Sequence, residues 1–278
     1  MKTLPIYLPE FLTHLRTKGR AETTIATYRR ILCRMDKELP EGLPSACSDE
    51  IRDWIWTGRR SKSAMHLYRA AVCGFFGFAT DPAAPVLDYD PTRHLPGVHV
   101  RRGKPRPVDT TQLSDILTRA SEPFGLWYLI AAYEGLRCVE ISRLDRDDVA
   151  EDLTWIRGKG DKHRQVPTHP AVWAAAQQLP PGPVARDPDG VGPTGTVAVS
   201  QRGNRHLCAL GYPEITMHRL RHWYATAVND ASGGDISVTQ DLLGHESPTT
   251  TRTYVAVAPA KATAAVRALP PPPPRWPT

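Results

Sequence analysis

Six prolines between Pro82 and Pro107 divide this chain. Pro82, Pro85, Pro91, Pro96, Pro105 and Pro107 each lack a backbone N–H and fix their own φ, so no long helix or central strand can run through them. The same stretch gathers Arg101, Arg102, Lys104 and Arg106. A broken, basic segment of this kind reads as an extended linker, and 278 residues leave room for a folded unit on either side of it. At 41% hydrophobic residues, each side can bury an ordinary core. The expected organisation is a domain over residues 1–96, a linker over 97–108 and a second domain over 109–278.

The first part reads as helices throughout, from about residue 5 to 80. Ile25, Tyr28, Leu32 and Met35 recur at helical spacing and define one apolar stripe, with Arg30, Arg34 and Lys37 on another side of the same helix. Such a basic stripe suits either solvent or a phosphate backbone. A second helix is expected from Ser48, read as its N-cap, through Ile51, Trp54 and Ile55. A third spans Ser63 to Ala79, with Leu67, Ala71, Phe75 and Phe76 inward.

The second part mixes helices with a small sheet. A helix capped by Thr110 or Thr111 carries Leu113, Ile116 and Leu117, and a more apolar one runs from Pro123 to Glu134 and stops at Gly135. Thr154–Arg157 and Arg164–Pro167 read as two short strands, with Gly158-Lys159-Gly160-Asp161-Lys162 as the turn of a hairpin. Residues 180–196, rich in Pro and Gly, read as an irregular loop. Helices resume near Ser200, Thr216 and Ser237, and a last one covers Ala260 to Leu269 before the prolines of 270–274.

Composition narrows the class of partner. The net charge of +6 favours an acidic one. The five cysteines are scattered and odd in number, which argues against a disulfide framework and fits a reduced cytoplasm. No run of about 18 apolar residues is present, so neither a signal peptide nor a membrane span is expected.

Chemistry concentrates in the last third. His218, Arg221 and His222 stand at i, i+3 and i+4 and can share one helix face. A guanidinium between two imidazoles is a good phosphate site, because it offers two coplanar donors, and a poor metal site, because it repels a cation. Zinc between His218 and His222 is the competing reading; Arg221 opposes it, and no Glu follows the first His. Leu242-Leu243-Gly244-His245 follows, then Tyr254. Together these suggest phosphoryl transfer to a tyrosine without metal.

Four segments in order carry a resemblance. They are Glu134-Gly135-Leu136-Arg137-Cys138-Val139-Glu140, Gly158-Lys159-Gly160-Asp161-Lys162-His163-Arg164-Gln165-Val166-Pro167, Thr216-Met217-His218-Arg219-Leu220-Arg221-His222, and Leu243-Gly244-His245 with Thr249 to Tyr254. In residue type and order they resemble the tyrosine recombinases, the phage integrase family. The resemblance implies a mainly α protein. Its N-terminal part would be a helical core-binding (SAM-like) domain, and its C-terminal part an α-rich catalytic domain with a small antiparallel β-sheet. It implies a site-specific recombinase or integrase that cuts and rejoins DNA through a 3′-phosphotyrosine.

The resemblance also implies roles. Arg137 and Arg221 would clamp the non-bridging phosphate oxygens, where charge develops. Lys159 would protonate the leaving 5′-oxygen, with Lys162 its competitor and a DNA contact. His218 would help take the tyrosine proton, His245 would donate to a phosphate oxygen, and Tyr254 would be the nucleophile, a phenol that needs a base and nearby positive charge. His222 would stand behind them. Arg30, Arg34, Lys37, Arg101, Arg102, Lys104 and Arg106 are the expected DNA contacts. No cofactor and no metal are implied. The expected partner is duplex DNA at core-type sites, in the cytoplasm of a bacterial cell or phage-infected host, with no membrane association. A tetramer joined by C-terminal tail exchange is expected, with Ala262, Ala265, Val266 and Leu269 as a small apolar face.

Met217 departs from the family, which usually has Pro there, and the 180–196 loop is unusually rich in Pro and Gly. No further domain is expected ahead of the helical one, and the expectation is then a simple recombinase of short core sites. A tyrosine-class topoisomerase and a DNA-binding relative without catalysis are the alternatives.

Overall fold

In the computed structural model, residues 4–58, 60–100, 107–158, 163–187, 192–244, 259–274 and 276 are described. The chain divides into two compact units, Met1–Gly103 and Lys104–Thr278. Together they are mainly α, with one small antiparallel sheet.

The first unit comprises α1 (Leu4–Thr17), α2 (Glu22–Glu38), α3 (Ser48–Trp56) and α4 (Lys62–Ala79). Ile25, Leu32 and Met35 of α2 meet Ile51 and Ile55 of α3 and Phe75 and Phe76 of α4 in one core, each almost fully buried. Phe11 of α1 packs edge-on to Phe75 at 5.7 Å between ring centres. Burying a side chain of this size contributes about 1.5–3 kcal/mol. Leu67, expected inward, stays 38% exposed, while Ala71 on the same helix is fully covered.

Two further expectations are corrected. Ser48 is the first helical residue of α3 rather than its cap. Cys47 occupies the cap position, and the Glu50 carboxylate accepts from the Cys47 backbone N–H at 2.8 Å. The Ser48 hydroxyl instead donates to the Pro91 carbonyl at 2.6 Å. That bond shows why the proline-rich stretch is not all free linker. Leu87 and Leu95 are buried in the helical core, and Arg69 donates to the Leu95 carbonyl at 3.0 Å. Arg101, Arg102, Lys104 and Arg106 lie outside the described residues.

The second unit is built around α6 (Phe124–Tyr133), which follows α5 (Thr110–Arg119). From Gly125 to Tyr133 every residue of α6 is buried, so it shows no amphipathic period; a helix apolar on all sides belongs in the middle of a core. The cap of α5 is Asp109, whose carboxylate accepts from Thr111 N–H at 2.8 Å, rather than either threonine. An acidic cap satisfies an orphan N–H and also meets the positive end of the helix dipole. The short α7 (Cys138–Ile141) follows the Gly135 turn.

Strands β1 (Leu153–Arg157) and β2 (His163–Pro167) pair antiparallel, Trp155 opposite Gln165. Then come α8 (Pro170–Gln177), α9 (Thr196–Ala209), α10 (Met217–Ala231), α11 (Ile236–Leu243) and α12 (Pro259–Arg267). Helix α8 was not foreseen. Its signal is His169 as N-cap followed by Pro170 at the first helical position. Helix α9 begins four residues before Ser200, at Thr196. Ala265, Val266 and Leu269 are buried in the core of their own unit, and Trp276 donates its indole N–H to the Leu117 carbonyl at 3.3 Å. Among the described residues no helix is long and apolar enough to cross a membrane.

Candidate active site

The site begins where α6 ends. Gly135 adopts φ +66°, a left-handed conformation, and a Cβ there would overlap the ring of Tyr224 on α10. This reversal throws Arg137 onto the start of α7, where it is the cap residue. Its backbone N–H donates to Glu140 Oε2 at 2.7 Å and its guanidinium to Glu140 Oε1 at 2.9 Å. The Glu140 side chain is 2% exposed, so this is no loose surface pair; Arg137 itself is half exposed.

Arg221, in α10, is almost fully buried. It donates to the carbonyl of Gly135 and, at 2.7 Å, to that of Leu243 at the end of α11. Glu140 Oε2 lies 3.6 Å from it. Arg137 reaches the carbonyl of Gly244 at 3.5 Å. The Gly135 turn, α10 and the end of α11 are thus joined through two guanidinium groups.

A third guanidinium was not foreseen as part of the site. Arg164 of β2 grips Glu140 with both nitrogens, at 2.6 and 3.0 Å. The sequence signal was present, since Arg164 sits in the lysine segment, but nothing local distinguishes it from a solvated strand cation. Gly244 makes room for it: with φ +60° this residue ends α11, and a Cβ there would sit 2.9 Å from the Arg164 side chain.

Among the described residues one carboxylate therefore faces three guanidinium groups, an excess of two positive charges. Burial alone would raise the Glu140 carboxyl, but hydrogen bonding and charge from Arg164, then Arg137, reverse that and hold it below its usual range. Burial, then the charge of Arg137, lowers Arg221 to about 10, which still leaves it protonated at neutral pH. Guanidinium groups gathered in excess, one of them buried, favour an anion, whose charge offsets part of their desolvation.

The two histidines of α10 stand beside it. His218 and His222 contact edge to face, 4.4 Å between ring centres. Loss of solvent lowers the pKa of His218, followed by the charges of His222, Arg221 and Arg137; His222 is lowered by burial, then by Arg221 and Arg219. Both rings are thereby kept neutral and able to accept a proton. No cluster of three His, Cys, Asp or Glu arranged to hold a metal occurs among the described residues.

Arg137, His218 and Arg221 are therefore brought together, with His222 adjacent. Lys159, Lys162, His245 and Tyr254 lie outside the described residues. Arg30, Arg34 and Lys37 share the exposed side of α2, where Arg34 pairs with Glu38 at 2.8 Å.

The pattern described as the phage integrase family matches residues 194–261. A tyrosine recombinase XerD of Mycobacterium tuberculosis is 30% identical over 92% of this chain and 94% of its own length. The chain belongs to the tyrosine recombinase family. A tyrosine recombinase XerC of Neisseria meningitidis is 29% identical over 90% of both chains. Among solved structures, a lambda integrase (75-356) dimer bound to a COC′ core site shares the fold. Its TM-score is 0.71 at 17% identity, covering 89% of this chain and 97% of that one. Members of this family are DNA-cleaving and rejoining enzymes, and this chain is a site-specific tyrosine recombinase.

Proposed function

We propose that this recombinase cuts one DNA strand at a time by attack of the Tyr254 hydroxyl on a phosphodiester. The new bond joins the tyrosine oxygen to phosphorus on the 3′ side, and the 5′-oxygen leaves. Arg137 and Arg221 hold the non-bridging oxygens, His218 takes the phenol proton, His245 donates to the phosphate, and Lys159 returns a proton to the leaving oxygen. Rejoining runs the same steps backward from a new 5′-hydroxyl, so no nucleotide is consumed.

The observation that carries this reading is the excess, among the described residues, of two positive charges around Glu140, walled by backbone carbonyls of Gly135, Leu243 and Gly244. A tetrahedral metal would be repelled there, while a phosphate finds coplanar donors already oriented. The remaining assignments follow from chain order: Lys159 falls between β1 and β2, and His245 directly follows Gly244.

The substrate is duplex DNA carrying short core sites, contacted also by Arg30, Arg34, Lys37, Lys162 and the basic stretch Arg101, Arg102, Lys104 and Arg106. The domains are residues 1–96, a linker of 97–108 and a catalytic domain of 109–278. Exchange in the cytoplasm of a bacterial or phage-infected cell proceeds in a tetramer; a lambda integrase tetramer bound to a Holliday junction has this fold. The tail that would join neighbours is α12, which must first leave its seat on its own unit.

The test uses DNA flanking the protein's own gene. After incubation and denaturation, covalent protein–DNA ends are mapped. Wild type should give 3′-linked ends at one crossover site, and Tyr254→Phe should bind that site without becoming attached. Attachment by the Phe variant would refute the nucleophile.

A further inference from the structure

Glu134 is a carboxylic acid with no solvent exposure, set directly before the Gly135 turn. Its Oε1 accepts from the Thr154 hydroxyl of β1 at 3.0 Å. The Thr154 hydroxyl also lies 2.8 Å from the Thr168 hydroxyl, a contact in which either oxygen can donate. Thr168 directly follows β2. One carboxyl thus ties both strands of the hairpin to the end of α6. Glu134 Oε2 and the Tyr224 hydroxyl are both buried without a hydrogen-bond partner among the described residues, and the side chain that holds the carboxyl is the hairpin's Thr154.

We propose that Glu134 is a positioning residue for strand cleavage: through Thr154 and Thr168 it fixes the hairpin against the turn that carries Arg137. This rests on the reading above, in which Lys159 between the two strands supplies the leaving-group proton. Glu134 does this as a neutral acid. Burial pushes its pKa up to about 8, against weaker pulls from Thr154 and the His169 backbone. The titratable and charged groups around it are Tyr224 of α10, itself raised by burial and by Glu134, then Arg164 of β2 and Arg221 of α10, which act on Tyr224, and His169 ahead of α8, which burial keeps neutral. Ionised, Glu134 would place an unpaired charge in the core and cancel part of the positive field at the arginines.

The experiment measures single-turnover cleavage of the mapped crossover duplex, made with oxygen or sulfur at the bridging 5′ position. A thiolate leaves without needing a proton, so sulfur rescues only defects in proton delivery. Lys159→Ala is the comparator. Glu134→Ala should slow cleavage by roughly tenfold or more on oxygen and regain most of it on sulfur. Glu134→Gln, neutral and of the same shape, should cleave like wild type and outpace it above about pH 8. Thr154→Val removes the linking hydroxyl and should follow Glu134→Ala, standing in for it if the alanine variant does not fold. Rescue of Lys159→Ala but not of Glu134→Ala or Thr154→Val would overturn the proposal. A Gln variant as slow as Ala would overturn the neutral form. Failure of Lys159→Ala itself to be rescued would remove the acid assignment, and the proposal with it.

Discussion

Arg164 and Glu140 meet with both guanidinium nitrogens on both carboxylate oxygens, at 2.6 and 3.0 Å. The pair joins β2 to the helix that Arg137 caps, so the hairpin and the arginine clamp share one carboxylate. Its exposure is low, 17% for Arg164 and 2% for Glu140. Removing Glu140 leaves its arginines without a carboxylate, a cost of about 3–5 kcal/mol for fully buried pairs, whereas removing Arg164 leaves Glu140 still facing Arg137 and Arg221 and costs less.

Arg164→Ala should accordingly lower stability by about 1–3 kcal/mol. Cleavage should slow more than DNA binding weakens, because Glu140 then draws harder on Arg137 and Arg221. Arg164→Lys should recover little, since an ammonium cannot hold both oxygens in one plane. Urea titration and single-turnover cleavage check this. Full activity in Arg164→Lys would show that only the charge matters.

The basic stretch can be tested by salt. Replacing Arg101, Arg102, Lys104 and Arg106 by Ala should weaken binding on all sequences alike. The slope of log affinity against log salt should fall by about one per lost phosphate contact. An unchanged slope would place these residues off the DNA.

Trp276 seats the end of the chain on α5, its indole donating to the Leu117 carbonyl and its ring lying close enough that a Cβ on Gly125 would sit 3.0 Å from it. Trp276→Ala should lower Tm by several degrees, in line with a loss of about 1–3 kcal/mol, while monomeric DNA binding is kept. Truncation after Val257 should cost more, since it also uncovers the surface under Ala265, Val266 and Leu269, and it should impair synapsis. A truncated protein with unchanged Tm would mean that the α12 seat contributes nothing.

Much of the site was legible because its chemistry is local. His218, Arg221 and His222 share a helix face by spacing alone, and Gly135 before Arg137 signals a reversal. The hairpin strands were found to within a residue because Trp155-Ile156-Arg157 and Gln165-Val166 alternate. What sequence did not show depends on contacts between distant segments. Glu140 has three arginine neighbours only because β2 and α10 converge on α7, and Glu134 looks like an ordinary charged helix end until Thr154 closes over it. The cap of α3 was misplaced for a related reason: Ser48 is a good cap by type, but its hydroxyl is taken by Pro91, far along the chain. Helix α8 was missed because eight residues, half of them alanine, give too short a period to read.

His169 provides the last prediction, an acid limb in the stability profile. It is buried against Tyr133, 4.7 Å between ring centres, and its Nδ1 accepts from the Ala171 N–H at 3.2 Å as the cap of α8. Burial lowers its pKa to about 4 from 6.5. A ring whose folded value is depressed is neutral in the native state while the unfolded chain takes up a proton first. Its contribution is fully present above about pH 6.5 and is lost as pH falls toward 4, at about 1.4 kcal/mol per pH unit across that window. Glu134 runs the other way: raised from 4.5 to about 8, it favours the folded state at low pH and loses that contribution as pH rises through 8. The two are separable by substitution. His169→Asn keeps a side chain suited to cap α8 and removes the titration, so between pH 4 and 6.5 its stability in urea unfolding should rise with pH by up to about 1.4 kcal/mol per unit less than that of wild type, with the same slope above it. A variant profile as steep as wild type in that window would mean that the proton responsible binds elsewhere.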